Sequence, residues 1–508
     1  MAGSSQDNTK IRQASRAVAW NAVLSMAATV FGVAANILTV RLLSKNDFGV
    51  YCFANVCLRY ASIFCLFTLD AALLRYIPEY RARGDRRGLI NVLKKALGIN
   101  VSAWILSVII VALLSGWLSQ VSKADIRLLL FTGALVIMPS VVSVSLQAVL
   151  TSFFEVKIQA IGTVIGGCLQ LFLIWYLIKG VGWGGTGAMV AQVGMSGFLL
   201  ILFALKIRHL PLPEQTSEYI PFRIRRLVIF SLPYVINTIA GTVFLRQSEV
   251  LFLQPYWGGV AVATYTYSYQ LAQRFLDFVP TVLYGVGNVL ASTAFVEGRE
   301  QLAKVMGIYM RITAVTITAV SVGGFVLADK LAVLFYGAKA ADSGQIAMIL
   351  FISQAVIIFV NPYNFVMRAE EKTWLSFWLS PPAAMISLGI DWLLIPKYGV
   401  QGALLATSLS FFLVTLLQYR VFRWAFPYLD VPWVYVARCY AASLPMLLVI
   451  PLKGLVPGHF GLLIGLIAAL ALWIFGARTM RLVGESEADL LLRSGLPGSR
   501  LLLKALAR

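Results

Sequence analysis

The feature that most constrains this chain is a series of apolar runs, each roughly 20 residues long, that recurs along its 508 residues. A run of that length crosses the hydrocarbon core of a bilayer as a helix, whereas the strands of a membrane barrel would be shorter and would alternate. The chain is 59% hydrophobic and only 13% charged, against about 25% charged residues in a soluble domain. We therefore predict an all-α polytopic membrane protein with about 14 transmembrane helices. The predicted spans lie near residues 17–40, 50–76, 96–118, 126–150, 158–178, 184–206, 227–252, 262–293, 305–328, 345–367, 374–394, 402–421, 434–452 and 460–477.

The two halves of the chain carry similar short motifs in the same order. Each motif of the first half recurs about 214 or 215 residues later. The matched pairs are the stretches that end at Tyr51 and Tyr265, then Gly84 and Gly298, Lys157 and Lys372, and Gly184–Ala188 and Gly399–Ala403. A nearly constant offset over several motifs indicates a duplicated unit of six helices. Duplicated helix bundles with a central site between the halves are typical of transporters.

The repeat also predicts how the chain is divided. A boundary is required between helices six and seven, and the Pro-rich and Arg-rich stretch there has the composition of a linker. The end of the chain places Leu at helical spacing among Arg and Lys, which predicts an amphipathic helix on the inner leaflet. The predicted segments are an N-terminal lobe at 1–206, a cytoplasmic linker at 207–226, a C-terminal lobe at 227–421, an appended helix pair at 434–477 and a cytoplasmic amphipathic tail at 478–508.

The net charge of +20 follows the predicted topology. If both termini are cytoplasmic, about 27 Lys and Arg fall in cytoplasmic segments and about 8 outside, which is the positive-inside bias. This distribution predicts contact with anionic membrane lipid and argues against a nucleic-acid partner. The five cysteines are scattered and the two histidines stand singly in loops, so neither a disulfide framework nor a metal site is expected. No cofactor is predicted.

Three segments resemble the Wzx-type polysaccharide flippases of the multidrug/oligosaccharidyl-lipid/polysaccharide exporter superfamily. They are Arg41-Leu-Leu-x4-Phe-Gly-x-Tyr51, Phe335-Tyr-Gly337 and Leu394-Ile-Pro-Lys-Tyr-Gly-Val-Gln-Gly-Ala-Leu-Leu-Ala406. The second copy of the first motif departs at Ala263, where the first copy has Gly49. The resemblance implies two pseudo-symmetric six-helix lobes that form a V around a central cavity. It also implies an undecaprenyl-pyrophosphate-linked oligosaccharide as substrate, a bacterial cytoplasmic (inner) membrane location, and polysaccharide polymerase and export proteins as partners.

Two arginines inside the predicted spans are the candidate substrate-binding residues. A charged side chain at a helix centre costs about 2.5–3.5 kcal/mol on insertion scales, so it usually marks a pathway or a paired site. Arg59 and Arg274 occupy near-equivalent positions of helices two and eight, because Arg274 maps by the repeat onto Tyr60. In the resembling family those helices line the cavity, where two guanidinium groups would bind a pyrophosphate. The alternative is local neutralisation, for Arg274 by Asp277.

Three carboxylates are candidates for coupling transport to a proton or sodium ion: Asp70, Asp277 and Asp391. The residues do not select among them, and solvation near the outer surface is the alternative for Asp391. Arg311, near the start of helix nine, is expected to extend toward the membrane surface rather than bind substrate.

The function that these residues favour is transport of a lipid-linked oligosaccharide by alternating access, for O-antigen, capsule or exopolysaccharide synthesis. A cation-coupled multidrug antiporter of the same superfamily would favour carboxylates over arginines in its cavity. A peptidoglycan lipid II flippase would need the same chemistry with a different sugar. An enzyme is disfavoured, and no catalytic residue is predicted, because the longest outer segment is too short for a catalytic domain.

Overall fold

The computed structural model describes residues 20, 24, 26–210, 215, 223–245, 248–451 and 458–482. Every regular element within these ranges is a helix, and the prediction of an all-α protein is confirmed. The N-terminal residues up to 19 and the predicted amphipathic tail from 483 onward lie outside the described residues. The chain divides into two compact units, Met1–Ala263 and Thr264–Arg508. The lobes at 1–206 and 227–421, which rest on the repeat, stay a prediction.

The helices follow one another with short connections in both units. The first unit contains α1 (Met26–Leu42), α2 (Lys45–Leu66), α3 (Leu69–Ala82), α4 (Arg86–Ser122), α5 (Arg127–Ser152), α6 (Val156–Trp175), α7 (Gly184–Arg208), α8 (Ile224–Leu245) and the beginning of α9 (Glu249–Glu297). The second unit contains the rest of α9, then α10 (Arg299–Tyr336), α11 (Ser343–Ser353), α12 (Ala355–Ile358), α13 (Tyr363–Ala369), α14 (Trp374–Ala425), α15 (Trp433–Ser443) and α16 (Gly458–Thr479).

Eleven helical segments among the described residues are long and apolar enough to cross a membrane, and α1 is a shorter apolar helix. Two of the eleven, Ile224–Phe278 and Trp374–Ala425, each cover two predicted spans. Both contain a glycine with a non-helical backbone, Gly258 (φ 78°) and Gly399 (φ 57°), at the position where one predicted span ends and the next begins. Many spans are thus present as predicted, while the number fourteen stays a prediction.

Predicted helix two is not continuous. The segment 50–76 was expected as one helix, but α2 ends at Leu66 and α3 begins at Leu69. The two residues between them, Phe67 (φ 49°) and Thr68 (φ 47°), have left-handed backbones, which cost non-glycine residues about 1–2 kcal/mol each. The Thr68 hydroxyl donates a hydrogen bond to the Ser231 carbonyl (3.3 Å), which helps to hold the break.

Two of the matched glycine pairs have a positive φ in both halves. Gly84 and Gly298 lie in the left-handed region with φ of 67° and 118°, each just before a long helix. Gly184 and Gly399 have φ of 54° and 57°, and each lies where one apolar helix turns into the next. Glycine tolerates these angles without strain. The offset in the sequence therefore corresponds to repeated turns.

One sequence match is wrong by two residues. The turn after α5 places Phe154 at φ 61°, and the Glu155 N–H donates to the carbonyl five residues earlier (2.9 Å). The turn after α13 places Glu371 at φ 59°, and the Lys372 N–H makes the same bond (2.8 Å). Lys372 is therefore equivalent to Glu155 rather than to Lys157.

Each unit has its own apolar core. In the first unit α3 packs against α4 and α5, and its buried residues are Leu69, Ala72, Leu73, Tyr76, Ile77 and Tyr80. In the second unit the middle of α9 buries Tyr265, Tyr267 and Tyr269. The Tyr265 hydroxyl and the Thr407 hydroxyl of α14 are hydrogen-bonded at 2.6 Å, which satisfies two polar groups inside the core.

Candidate substrate-binding residues

Arg59 lies in the middle of α2. This helix starts where the Ser44 side chain accepts a hydrogen bond from the Asp47 N–H (3.1 Å), a standard N-cap that fixes the first turn. Arg59 follows about 14 residues later, about 21 Å along the axis. Its side chain is exposed, while the preceding Leu58 is buried. A guanidinium at this depth of an apolar helix needs water or an anion beside it.

Arg274 has the same placement in the second unit. The regular part of α9 resumes at Gly259, and Arg274 follows about 15 residues later, about 22 Å along the helix. Its side chain is exposed, and the neighbouring Ala272 and Leu276 are buried. Both Arg274 and Asp277 are exposed. Local neutralisation of Arg274 by Asp277 stays the alternative.

The two arginines thus have similar positions along their helices and similar exposure, one in each compact unit, although they are one residue apart in the register of the repeat. The cavity that they are predicted to share stays a prediction. Their roles as substrate-binding residues also stay a prediction.

The three candidate carboxylates have different environments. Asp70 is in the first turn of α3, where the partial positive charge of the helix terminus stabilises a carboxylate. Asp277 is exposed. Asp391 is 0% exposed within α14, so it is not solvated. Asp391 is thus the most deeply buried of the three carboxylates.

A buried carboxylate outside the spans was missed by the sequence interpretation. The Glu370 side chain, 3% exposed, accepts from Lys372 Nζ (2.8 Å), Arg299 Nε (3.1 Å) and the Tyr428 hydroxyl (2.7 Å). Burial opposes its ionisation, but the bonds from Lys372 and Tyr428 and the two positive charges hold the pKa of Glu370 below its ordinary value. Through these contacts Glu370 links the start of α10 to the segments just before and just after α14. No sequence pattern marks this cluster, because Arg299 and Tyr428 lie 71 and 58 residues from Glu370 in the chain.

A second group of charges surrounds the start of α8. A cavity of about 410 Å³ is lined by Tyr76, Ile229 and three arginines, Arg223, Arg225 and Arg226. The Arg226 guanidinium lies over the Tyr76 ring at 4.7 Å and pairs with Glu79 at 3.3 Å. These contacts tie the end of the predicted linker to α3 within the first unit.

Metal chemistry has no support in the part of the chain that the structure describes. No group of three His, Cys, Asp or Glu side chains in these residues is arranged to hold a metal ion.

These features define a class, the multi-pass helical membrane proteins. A family model described as "Polysaccharide biosynthesis protein" matches residues 15–286, more than half of the chain, and the chain belongs to that family. The chain is also 24% identical over 423 residues to Stage V sporulation protein B of Bacillus subtilis (strain 168), covering 77% of this chain and 80% of the relative.

Solved structures share the fold at low sequence identity. The lipid II flippase MurJ in an inward closed conformation has a TM-score of 0.69 at 15% identity, covering 90% of this chain and 98% of that chain. An inward-facing multidrug resistance MATE family transporter of the MOP superfamily has a TM-score of 0.66 at 16% identity, covering 80% of this chain and 98% of that chain. These similarities show a shared fold, and the resemblance to polysaccharide flippases is confirmed at the level of the family.

Proposed function

We propose that this protein moves a polyprenyl-pyrophosphate-linked oligosaccharide from the inner to the outer leaflet of a bacterial cytoplasmic membrane by alternating access. The observation that carries the proposal is the pair Arg59 and Arg274, two exposed guanidinium groups at matching depths of the two units. Membership of the polysaccharide biosynthesis family supports a sugar-bearing lipid as the cargo.

The chemistry of the cargo explains why arginine is the residue type at these positions. A pyrophosphate carries negative charge through the membrane, and a guanidinium binds it through two parallel N–H···O bonds. The guanidinium and the pyrophosphate each offset part of the free-energy cost of removing the other from water. Two arginines on different units would hold the head group during the exchange between inward and outward access, while the polyprenyl chain stays in lipid. The coupling ion would be a proton or sodium, with Asp391 as the buried carboxylate that takes it.

A strain that lacks the protein tests the proposal. Undecaprenyl-linked repeat units are expected to accumulate on the inner leaflet, and the surface polysaccharide is expected to disappear, with both effects reversed by the wild-type gene. Normal surface polysaccharide with no accumulated intermediate would overturn the proposal.

A lipid II flippase is the second candidate, favoured by the structural similarity to the lipid II flippase MurJ. The same strain distinguishes it by the sugar of the accumulated lipid. A peptidoglycan precursor with its peptide would support the second candidate, and an oligosaccharide repeat unit without peptide would support the first.

A further inference from the structure

A cavity of about 710 Å³ lies in the second unit, where the appended helix pair meets α10. The first turns of α15 contribute Trp433, Tyr435 and Arg438, the residues just after α16 contribute Arg481 and Leu482, and α10 contributes Arg311. Neither of the proposed substrate-binding arginines is among the lining residues of this cavity.

The lining of the cavity is strongly basic. Three guanidinium groups, those of Arg311, Arg438 and Arg481, line it, and Asp430 is the single carboxylate among the described lining residues. The Asp430 carboxylate already accepts from the Tyr419 hydroxyl (2.8 Å) and pairs with Arg423 (3.5 Å). The cavity consequently keeps a net positive charge that suits an anion.

Short contacts hold these side chains in place. Arg438 Nη2 donates to the Met480 carbonyl (2.8 Å), and the Arg311 guanidinium lies over the Tyr435 ring at 5.6 Å. The Tyr435 hydroxyl in turn donates to the Leu482 carbonyl. An arginine has five N–H donors, so the single bond from Arg438 leaves further donors for an anion.

The level of the cavity in the membrane indicates what the anion is attached to. It lies at one end of both spans of the appended pair, Trp433–Pro451 and Phe460–Thr479. Tryptophan and tyrosine concentrate at the membrane–water interface, at the depth of the lipid head groups. Val434, which also lines the cavity, is 78% exposed and would contact acyl chains. A phosphate at this depth with apolar surface beside it belongs to a lipid rather than to a soluble molecule.

We propose that this cavity binds the phosphodiester head group of an anionic phospholipid and thereby fastens α15 and α16 to α10. The three arginines surround the phosphate, and Trp433 and Tyr435 set its depth. Basic pockets between transmembrane helices at the membrane surface have this preference for anionic lipid. The site places Arg311 beside an anion at the surface, consistent with its expected extension toward the interface.

Native mass spectrometry of the purified full-length protein with phosphatidylglycerol or phosphatidylcholine tests the site. We expect the wild type to retain phosphatidylglycerol at least about tenfold more strongly, and we expect the R438Q/R481Q variant to lose about tenfold to thirtyfold of that retention. The matched control is R420Q, which removes an exposed arginine near the same end of α14 but outside the cavity. It should bind like the wild type.

A single R481Q variant keeps the test valid if the double variant does not fold, because no hydrogen bond of the Arg481 side chain is found among the described residues. Its retention of phosphatidylglycerol should fall about threefold to tenfold. Equal retention by the wild type and the arginine variants would overturn the proposal. Displacement of the lipid by equimolar inorganic phosphate would also overturn it, since the cavity would then recognise a soluble anion.

Discussion

Arg59 and Arg274 are unusual residues for a membrane span, because each places a charged, exposed guanidinium group in the middle of an apolar helix. Facing lipid, each would cost about 2.5–3.5 kcal/mol on insertion scales. Two such costs at matching depths indicate that both side chains meet a polar environment. The proposed cargo supplies it during transport, and water supplies it between cycles.

Asp391 is the residue whose burial predicts ion coupling. A carboxyl group that is 0% exposed inside a membrane span is costly unless it is protonated, hydrogen-bonded or accompanied by a cation. We therefore expect D391N to remove the dependence of transport on an ion gradient, lowering gradient-driven transport on the order of tenfold. The measurement is the transport rate in proteoliposomes with and without an imposed proton or sodium gradient.

The matched control for this prediction is D277N, which changes an exposed carboxylate of α9. It should keep the response to the gradient. An unchanged response in D391N would show that Asp391 is a structural residue of α14.

At the scale of elements, the crossing of α2 and α9 is the closest approach that a glycine makes among the described residues. A Cβ on Gly49 would lie 1.8 Å from the Gly259 carbonyl oxygen. A Cβ on Gly259 would lie 2.6 Å from the Asn46 carbonyl oxygen. The two backbones therefore touch, which explains why the first motif of the resemblance contains glycine at position 49.

Substitution at this crossing should be costly. We expect G49A to destabilise the protein by about 1–3 kcal/mol, because a rigid backbone atom cannot move away from the added methyl group. The matched control is G98A on the exposed face of α4, where a Cβ meets nothing within 4 Å and alanine is the better helix former. Thermal unfolding in detergent measures both. A melting temperature of G49A at or above that of the wild type would contradict the close crossing.

The connections of the second unit are joined by Glu370. Replacing its carboxylate in E370Q removes the ion pairs with Arg299 and Lys372, and we expect a loss of about 2 kcal/mol at pH 7. Since the folded pKa of Glu370 is lowered, its contribution is complete above the ordinary pKa of about 4.5 and is lost as the pH falls below that value.

Melting temperatures measured between pH 7 and pH 3 check this prediction. The wild type and E370Q should differ at pH 7 and converge in acid. E297Q, which changes the exposed last residue of α9, should follow the wild type throughout. A constant difference between the wild type and E370Q over the whole range would contradict the role of the charge.

The elements that the sequence predicts well are those with a local signal. Apolar length located many of the spans, and paired glycines located repeated turns. No glycine or proline lies at the break at Phe67 and Thr68, so the apolar pattern of the sequence continues through it. The Glu370 cluster and the basic cavity beside α10 assemble residues that are far apart in the chain, and only the fold brings them together.

At the scale of the whole molecule, the distribution of charged residues predicts the topology of the chain in the membrane. The excess of Lys and Arg predicts that both termini and Gly84 are cytoplasmic and that Gly337 is outside. Gly84 precedes α4 and Gly337 follows α10, so both positions lie at helix ends that tolerate a fusion. Reporter fusions at the two positions should give opposite compartments. The same compartment for both would contradict the predicted order of spans.

The central claim is that Arg59 and Arg274 bind the pyrophosphate of a lipid-linked oligosaccharide as it crosses the membrane. The most direct measurement is the movement of a polyprenyl-pyrophosphate-linked oligosaccharide between leaflets in proteoliposomes that contain the purified protein. We expect the wild type and the control R127A, an exposed arginine at the start of α5, to transport it. R59K should retain part of the rate because it keeps the charge but loses the two-bond contact, and R59A/R274A should be inactive while still inserted and folded. Full transport by R59A/R274A would contradict the claim.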